Sequence, residues 1–409
     1  MKRRFAISKA LLAAAAAGAV GLAGMAPALA AELPSKKAVD ADACAQFVQR
    51  PQILKSDTRP DGTPIPEQDP QGATPVVFVH GWVSKIAHDE GREGYFSHYV
   101  ASRANGHAGT LLAKGDIHSS MIGLVQQVPG AQPYTFDYSQ VGSHWVTDPQ
   151  IGAKLANGLS CLAKQYGKPA VVVTHSMGGL AIREALGKMD PTAAQEAVSD
   201  VVAIAPPNKG SDIAGTLNET IEGASDAPLI GLPVRLADRI LKGCAAKMDE
   251  KNEGCIGVPV VDAFRGWGGQ ALRPDSPELA ALPQIPQGIH VTNLAGDIQI
   301  GGLSLFGKTT KPVVSLGDTL VTTESATAGA DEAQVQTCRY AFVSTWGAKE
   351  DFDRLKLLSK GDSVERPATI FDTPCAHEAL LREVNTNEAV VKVVRERAAQ
   401  QVQEAAGEQ

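Results

Sequence analysis

The sequence has little that would suit nucleic acid, zinc or a membrane span. Its 38 Lys and Arg do not exceed its 45 Asp and Glu, so no basic surface for nucleic acid or anionic lipid is expected. No two of its six cysteines are spaced as C-x-x-C, which disfavours a structural zinc site. Beyond residue 30, no apolar run is long enough to span a bilayer. The 44% apolar content still supplies a core for a large globular domain.

The first thirty residues have the pattern of a secretory signal peptide. Lys2-Arg3-Arg4 forms a basic start, an apolar Ala- and Gly-rich stretch follows, and Ala28-Leu29-Ala30 supplies a small-x-small cleavage signal. A membrane anchor is the alternative, although the stretch is only weakly hydrophobic. We expect cleavage between Ala30 and Ala31, and a secreted, extracellular mature protein.

The cysteines predict disulfide bonds, because an even number in an exported chain is typical of them. All six lie after residue 30. Two of them flank a short polar loop and form the first predicted pair, and the other pairs follow by elimination. The predicted pairs are Cys244 with Cys255, Cys338 with Cys375, and Cys44 with Cys161.

Strand and helix patterns alternate from residue 75 onward. Residues 31–74 hold many prolines and little periodicity, which predicts an extended surface arm tied down through Cys44. The alternation predicts one α/β domain over residues 75–409, with a mostly parallel central sheet and helices on both faces. Strands are predicted at 75–81, 133–139, 170–174, 198–206 and 288–296, and helices at 148–167, at 178–189 and from about 376 onward.

Residues 208–287 interrupt this alternation. The segment is rich in glycine and proline, has no strand pattern and holds a candidate amphipathic helix. We interpret it as a helical cap or lid over the sheet, and an ordinary peripheral helical layer is the alternative. A lid would present apolar residues to lipid, although the same residues would suit a core equally well. The helix positions are Ala237, Ile240, Leu241 and Cys244, and the candidate lipid-facing residues are Leu229, Ile230, Leu232, Val234 and Leu236.

The stretch AVVVTHSMGG, residues 170–179, predicts a serine nucleophile. A run of β-branched residues forms a strand, two glycines open a helix, and Ser176 stands at the corner between them. The residues two before and two after such a serine must be small, and here they are Thr174 and Gly178. Threonine departs from the G-x-S-x-G pattern and needs more room. A serine that merely caps the helix is the alternative interpretation.

A serine that attacks a carbonyl also needs two N–H donors for the developing oxyanion. The apolar strand that ends at His80-Gly81 puts the next amide beside the nucleophile, so Trp82 N–H and Met177 N–H are the predicted donors. Met177 also begins the helix, whose positive N-terminus adds to the same field. We expect His80 to form structural hydrogen bonds rather than to act as the base.

A histidine base and an acid complete such a site. The order nucleophile, acid, histidine leaves His290 and His377 as bases. We favour His377, which lies in a loop before a helix, because His290 falls in a predicted strand, where side chains are more often packed. For the acid, Asp297 follows a strand directly, whereas Asp318 stands in a Gly-Asp turn with a hydrophobic anchor at Val321. We favour Asp318, and Asp297 stays open as the alternative.

Several of these motifs together resemble secreted bacterial lipases and esterases of the α/β-hydrolase fold. The motifs are His80-Gly81, T-H-S-M-G-G, APPNKGS after the next strand, G-D-x-L-V-x-x-E-S-A and the late histidine. The resemblance covers residues 75–211 and 289–382, and it implies ester hydrolysis through an acyl-enzyme with Ser176, Asp318 and His377 as the triad. Lys209 stands where the family usually has histidine or arginine. Some relatives bind a structural calcium, but no carboxylate cluster here is spaced for one.

We therefore predict a serine hydrolase that cleaves carboxylic esters, with a triacylglycerol lipase or carboxylesterase as the particular form. An acyltransferase that uses the same acyl-enzyme is one alternative. An inactive protein of the same fold that binds lipid or a cell-wall partner is another. We expect an ester or lipid substrate, transient contact with a lipid interface, a monomer, and no cofactor, metal or nucleic-acid partner.

Overall fold

The computed structural model describes residues 43–51, 72–84, 96, 102–104, 110–111, 119–211, 266–301, 304–305, 308–309, 314–341, 353–354 and 373–407. The predicted signal peptide, most of the predicted arm, the Cys244–Cys255 pair and residues 212–265 of the predicted cap lie outside these residues. The candidate amphipathic helix and the candidate lipid-facing residues of the cap therefore lie outside them as well.

The strands of the described ranges include those that the sequence predicts, with ends that differ by a few residues. They are β1 (Thr74–Val79), β2 (Ser102–Arg103), β3 (Thr110–Leu111), β4 (Ala131–Phe136), β5 (Ala170–His175), β6 (Val198–Ile204), β7 (His290–Gly301), β8 (Ser304–Leu305), β9 (Lys308–Thr309), β10 (Val314–Ser315), β11 (Glu332–Ala341) and β12 (Asp353–Arg354).

Eight of these strands form one central sheet in the order β12-β11-β7-β6-β5-β1-β4, with β10 paired to β7. The β10–β7 pair is antiparallel, and the other pairs in this sheet are parallel. Strand β1 lies between β4 and β5. The connections that leave β1 and β5 therefore run to opposite sides, which makes this position the topological switch point of the sheet. In doubly wound sheets ligands bind outside the carboxyl ends of the strands at such a point. The ends of β1 and β5 are therefore the expected place for a site.

Along the chain, most of the helices alternate with the long strands. The helices are α1 (Met121–Gln126), α2 (Lys154–Tyr166), α3 (Gly178–Gly187), α4 (Pro191–Ala197), α5 (Trp267–Ala271), α6 (Pro277–Ala280), α7 (Thr323–Thr327) and α8 (Val384–Gly407), with 3-10 turns at Ser139–Val141 and Ala379–Arg382 and a π turn at Pro149–Ala153. None of the helices in the described ranges combines the length and apolar character that a membrane crossing requires.

The helix predicted over 148–167 shows how local sequence sets its ends. The Asp148 carboxylate accepts the Gln150 N–H at 2.8 Å, as an N-cap does, and Pro149 stands at the first turn. The first turn is π-helical and continues into α2. Gly167 ends α2 at φ 63°, in the left-handed conformation that favours glycine.

Helices cover both faces of the sheet, as the alternation predicts. Along β1, Val77 points into a core shared with α2 and α3, and Phe78 points into a core shared with α1 and α8. Because neighbouring residues of a strand face opposite sides, a strand that is apolar at every position is buried on both faces. This parallel, doubly covered sheet, with a serine corner after a central strand, has the α/β-hydrolase fold.

The C-terminal helix begins later than predicted. The expected start near residue 376 is wrong, because residues 373–382 form turns and a 3-10 segment, and α8 begins at Val384. The Glu383 carboxylate accepts the Thr386 N–H at 2.6 Å and so caps α8. The turns leave room for His377 to stand in a loop ahead of the helix.

Candidate active site

Ser176 occupies a strained corner between β5 and α3. Its φ of 54° lies in the left-handed region that residues other than glycine rarely adopt. Its N–H donates to the Ile204 carbonyl at 2.9 Å, and its own carbonyl accepts the Gly179 N–H at 2.9 Å. Ser176 is partly exposed, whereas every other residue from 170 to 186 is buried. The fold therefore presents this one side chain at the end of β5.

Small residues allow the corner to form. A Cβ atom at Gly178 would stand 2.6 Å from the Val79 carbonyl oxygen and 2.7 Å from that of His80, so α3 starts directly against the end of β1. Thr174 is fully buried, and its side-chain oxygen is 3.5 Å from where a Gly179 Cβ would be. That distance is an ordinary van der Waals contact, so the threonine fits at this position, and glycine is required at 179 by Pro206 instead, whose Cβ would stand 2.6 Å from a Cβ there.

The two predicted oxyanion-hole donors belong to the segments that flank Ser176. A Cβ at Gly81 would lie 2.8 Å from the Ser176 Cβ, so the chain just before Trp82 packs against the serine. The indole of Trp82 donates to the Ser143 carbonyl at 3.3 Å, which fixes the ring. Met177 begins the turn into α3, and within the described residues its N–H donates to no acceptor.

His80 forms structural hydrogen bonds through both ring nitrogens. Its Nδ1 donates to the Gly81 carbonyl at 2.9 Å, and its Nε2 accepts the Tyr138 N–H at 3.0 Å. The Asp137 carboxylate also lies 3.3 Å from Nε2. The Tyr138 N–H can only donate, however, so Nε2 must be the acceptor and carries no proton for Asp137. The ring also stacks on Tyr138 at 3.9 Å. His80 has no nitrogen left for proton transfer.

His377 and Asp318 form a buried pair. The Nδ1 of His377 donates to Oδ2 of Asp318 at 2.7 Å, and the His377 N–H donates to the Asp318 carbonyl at 2.9 Å. The other carboxylate oxygen accepts the N–H groups of Leu320 at 2.9 Å and Val321 at 2.7 Å. Burial lowers the pKa of His377, but the charge and hydrogen bond of Asp318 raise it, and the net pKa lies above its ordinary value.

The Asp318 carboxylate stands in a tight Gly-Asp turn after β10. Gly317 has φ 57°, and a Cβ there would overlap the Val321 carbonyl oxygen, so only glycine fits. The Asp318 N–H donates to that same carbonyl at 3.1 Å, and the Val321 side chain is buried. The turn and its hydrophobic anchor are those that the sequence pattern indicates.

The loop that carries His377 is held from two sides. Cys375, two residues earlier, is disulfide-bonded to Cys338 of β11. Its carbonyl oxygen lies so close to Gly296 of β7 that any Cβ there would overlap it, and the same Cβ would be 3.0 Å from Cβ of Asp318. Gly296 therefore lets β7, the acid turn and the histidine loop meet.

His175, the residue before the serine, connects His377 to the serine corner. Its Nε2 lies 3.1 Å from the His377 carbonyl oxygen, and the two ring centroids are 4.7 Å apart. The structure thus brings His377, Asp318 and the Ser176 corner into one region. The sequence analysis did not single out His175. A histidine directly beside the predicted nucleophile was the only signal.

The alternative acid and base lie in other surroundings. Asp297 accepts hydrogen bonds from Ser315 at 2.5 Å and Gln299 at 2.6 Å. His290 is the first residue of β7, whereas Ser176 follows the last residue of β5. Because the sheet is parallel here, the two residues lie at opposite ends of the strands. The expectation that His290 is packed is wrong: its side chain is 46% exposed and 3.7 Å from Asp331. As the first residue of its strand, it reaches solvent.

Two of the predicted disulfides lie within the described residues, and both are formed. They join Cys44 to Cys161 and Cys338 to Cys375. The first ties residues 43–51 to α2, and Gln49 pairs with Thr135 of β4. Within the described ranges, no group of three or more His, Cys, Asp or Glu is arranged to hold a metal ion.

A separate cavity of about 510 Å³ lies beside α3 and the start of β7. Asn208, Asn293 and the buried Arg183 line it, and none of the proposed site residues does. The Arg183 guanidinium donates to the carbonyls of Pro283 at 2.9 Å and Leu282 at 3.1 Å. Arg183 therefore joins α3 to the segment before β7, and the cavity is distinct from the serine site.

No protein-family model matches the chain, and no curated protein is significantly similar to it. Solved structures resemble it at low identity. Aspergillus fumigatus lipase B is 16% identical over 42% of this chain, with a TM-score of 0.26, and the chain spans only 31% of that protein. A mature Bacillus licheniformis lipase is 17% identical over 67% of this chain and 89% of its own, with a TM-score of 0.32. A metagenomic carboxyl esterase is 16% identical over 83% and 81%, with a TM-score of 0.35. Each of these TM-scores is below 0.5.

Proposed function

We propose that this protein is a secreted serine hydrolase that cleaves carboxylic esters through an acyl-enzyme. Ser176 is the nucleophile, His377 the general base and Asp318 the acid that orients the base. The observation that carries the proposal is the buried His377–Asp318 pair, joined at 2.7 Å, beside a strained and accessible serine. Strain of this kind is typical of functional sites.

In the first step, the Ser176 hydroxyl oxygen attacks the ester carbonyl and its proton passes to Nε2 of His377. Asp318 holds Nδ1–H of the imidazole at 2.7 Å, so Nε2 is the nitrogen left to accept the proton. The imidazolium that results is stabilised by the carboxylate, which agrees with the raised pKa of His377. It then returns the proton to the departing alcohol, and the acyl group stays on Ser176.

The negative oxygen of the tetrahedral intermediate requires N–H donors in place before the reaction. We assign Trp82 N–H and Met177 N–H to this role, since they lie on the two segments next to the serine. The N-terminus of the ten-residue α3 adds a positive field at the same point. Water then attacks the acyl-enzyme with His377 again as base, and the imidazolium returns the proton to the Ser176 oxygen as the carboxylic acid leaves.

The proposed substrate is a carboxylic ester, with lipid esters as the particular class, because the T-H-S-M-G-G and G-D-x-L-V-x-x-E-S-A motifs resemble those of lipases and esterases. Export is proposed from the N-terminal pattern and from the Cys44–Cys161 and Cys338–Cys375 disulfides, since such bonds persist in oxidising compartments. The preferred length of the acyl chain depends on the depth of the pocket, and we expect the predicted cap to form part of that pocket.

The test is turnover of p-nitrophenyl esters from acetate to palmitate by the purified protein, with Ser176→Ala as the matched control. Hydrolysis that disappears in Ser176→Ala supports the proposal, and persistence on long chains supports lipid esters. A fluorophosphonate probe should label wild-type protein and not the variant. Labelling without hydrolysis would favour acyl transfer to an alcohol. An unlabelled wild-type protein would refute a serine hydrolase and leave a binding role.

A further inference from the structure

His175 is a buried histidine that the proposed cycle does not use. It ends β5 directly before Ser176, and its side chain is 3% exposed. Its ring lies 4.7 Å from that of His377 and 6.5 Å from that of Phe96, edge-on to the latter. A polar ring enclosed in this way has to satisfy its hydrogen-bonding groups inside the protein.

The contact at Nε2 fixes the protonation of this ring. Nε2 lies 3.1 Å from the His377 carbonyl oxygen, which can only accept, so Nε2 carries a proton and donates. Burial, and then the electrostatic effect of His377, lower the pKa of His175 well below its ordinary value, although the hydrogen bond to the His377 backbone acts in the opposite direction. His175 is therefore a neutral donor, and it does not compete with His377 for the transferred proton.

The backbone of His377 is consequently held at both of its polar groups. Its N–H donates to the Asp318 carbonyl at 2.9 Å, and its carbonyl accepts from His175 at 3.1 Å. The first bond comes from the acid turn. The second comes from a residue covalently bonded to Ser176. The position of the base is thereby linked to the position of the nucleophile without relying on the substrate.

We propose that His175 is a positioning residue that sets the separation between Ser176 and His377. Proton transfer needs heavy atoms about 2.6–3.2 Å apart, so the backbone that carries the base must not drift. A misplacement of about 1 Å costs roughly 10²-fold in rate. This inference rests on the proposed function, because it assigns a role within the same reaction.

Two amide variants that differ by one methylene group provide the test. In His175→Gln the side-chain nitrogen can reach the place of Nε2 and still donate to the His377 carbonyl. In His175→Asn the nitrogen falls short of it. We expect kcat of His175→Asn to fall about 10²-fold with KM within about twofold of wild type, and His175→Gln to recover most of this loss. His175→Leu, which has no donor, should behave as His175→Asn does.

Measurements of kcat and KM on a short-chain p-nitrophenyl ester, with a thermal melt of each variant, separate positioning from packing. If Gln and Asn variants of equal stability lose equal activity, or neither loses any, the inference is overturned while the proposed function stands. Should His175→Leu fail to fold, the Gln and Asn pair still decides. If the wild-type protein shows no activity that depends on Ser176, the proposed function fails, and the inference falls with it.

Discussion

The sharpest test of the site is Asp318→Asn, because the surroundings of this carboxylate dictate what an amide would do there. Oδ1 accepts the Leu320 and Val321 N–H groups at 2.9 and 2.7 Å, so the amide oxygen of Asn must take that position. The NH₂ group then faces Nδ1 of His377, where Oδ2 accepted at 2.7 Å. A donor facing Nδ1 drives the imidazole proton to Nε2.

With its proton on Nε2, His377 cannot accept the proton of Ser176. The loss that follows from such a wrong tautomer is about 10⁴-fold in kcat, or about 5.5 kcal/mol of transition-state stabilisation. The fold should survive, since Asn keeps the size of the side chain and both backbone bonds of Asp318.

The assay is steady-state ester hydrolysis by Asp318→Asn beside the control Asp297→Asn. Asp297 accepts hydrogen bonds from Ser315 and Gln299 rather than from His377, so Asp297→Asn should keep nearly the wild-type kcat. Near-wild-type turnover in Asp318→Asn, together with a collapse in Asp297→Asn, would refute the assignment of the acid.

Three further predictions concern the same region. Because the pKa of His377 is raised by Asp318 and the reactive ring is neutral, kcat/KM should rise with pH through a midpoint above the ordinary value of about 6.5, and a pH profile at or below that value would contradict the pairing. Gly296→Ala would push its Cβ into the Cys375 carbonyl oxygen and against Asp318, so kcat should drop more than KM changes in steady-state kinetics. Removing the Cys338–Cys375 bond, which closes 37 residues, by Cys338→Ser with Cys375→Ser should lower the free energy of unfolding by about 2–4 kcal/mol in urea titrations, and unchanged stability would refute it.

The parts of the fold set by local chemistry could be predicted from the sequence. The continuous apolar run before Ser176 predicts a strand buried on both faces, and β5 ends one residue beyond the predicted boundary. The Gly-Gly pair after it predicts the start of a helix. The structure gives the reason for glycine, since α3 begins directly against the end of β1. A local apolar run and small residues at fixed offsets, rather than the overall composition, carried this information.

Strand β11 was not predicted, and its composition explains why. Within residues 332–338 its buried positions are Gln336 and Cys338, and Val335 is exposed. Apolar periodicity is therefore missing from a strand that pairs with β7 over ten residues. Residues 332–341 form a strand because they pair with β7, and this partner cannot be recognised from the local sequence of β11.

The choice between Asp318 and Asp297 also depends on distant contacts. Both follow plausible local patterns, of which the Gly-Asp turn anchored by Val321 favours Asp318, and the structure adds that Asp318 meets His377, 59 residues later. His175 meets the same residue across 202 positions. No spacing rule in a single sequence contains the His175 contact, so only the geometry reveals it.

These long-range contacts account for how the fold holds a strained serine next to the loop that carries His377. A left-handed conformation at a residue other than glycine costs about 1–3 kcal/mol and persists only where the surroundings impose it. At Ser176 the Ile204 carbonyl and the turn into α3 impose it from the sheet side. On the loop side, Asp318, Cys338 and His175 hold the segment that carries His377. Since each restraint comes from a different element, loss of any one should impair the alignment of Ser176 and His377 before it unfolds the sheet.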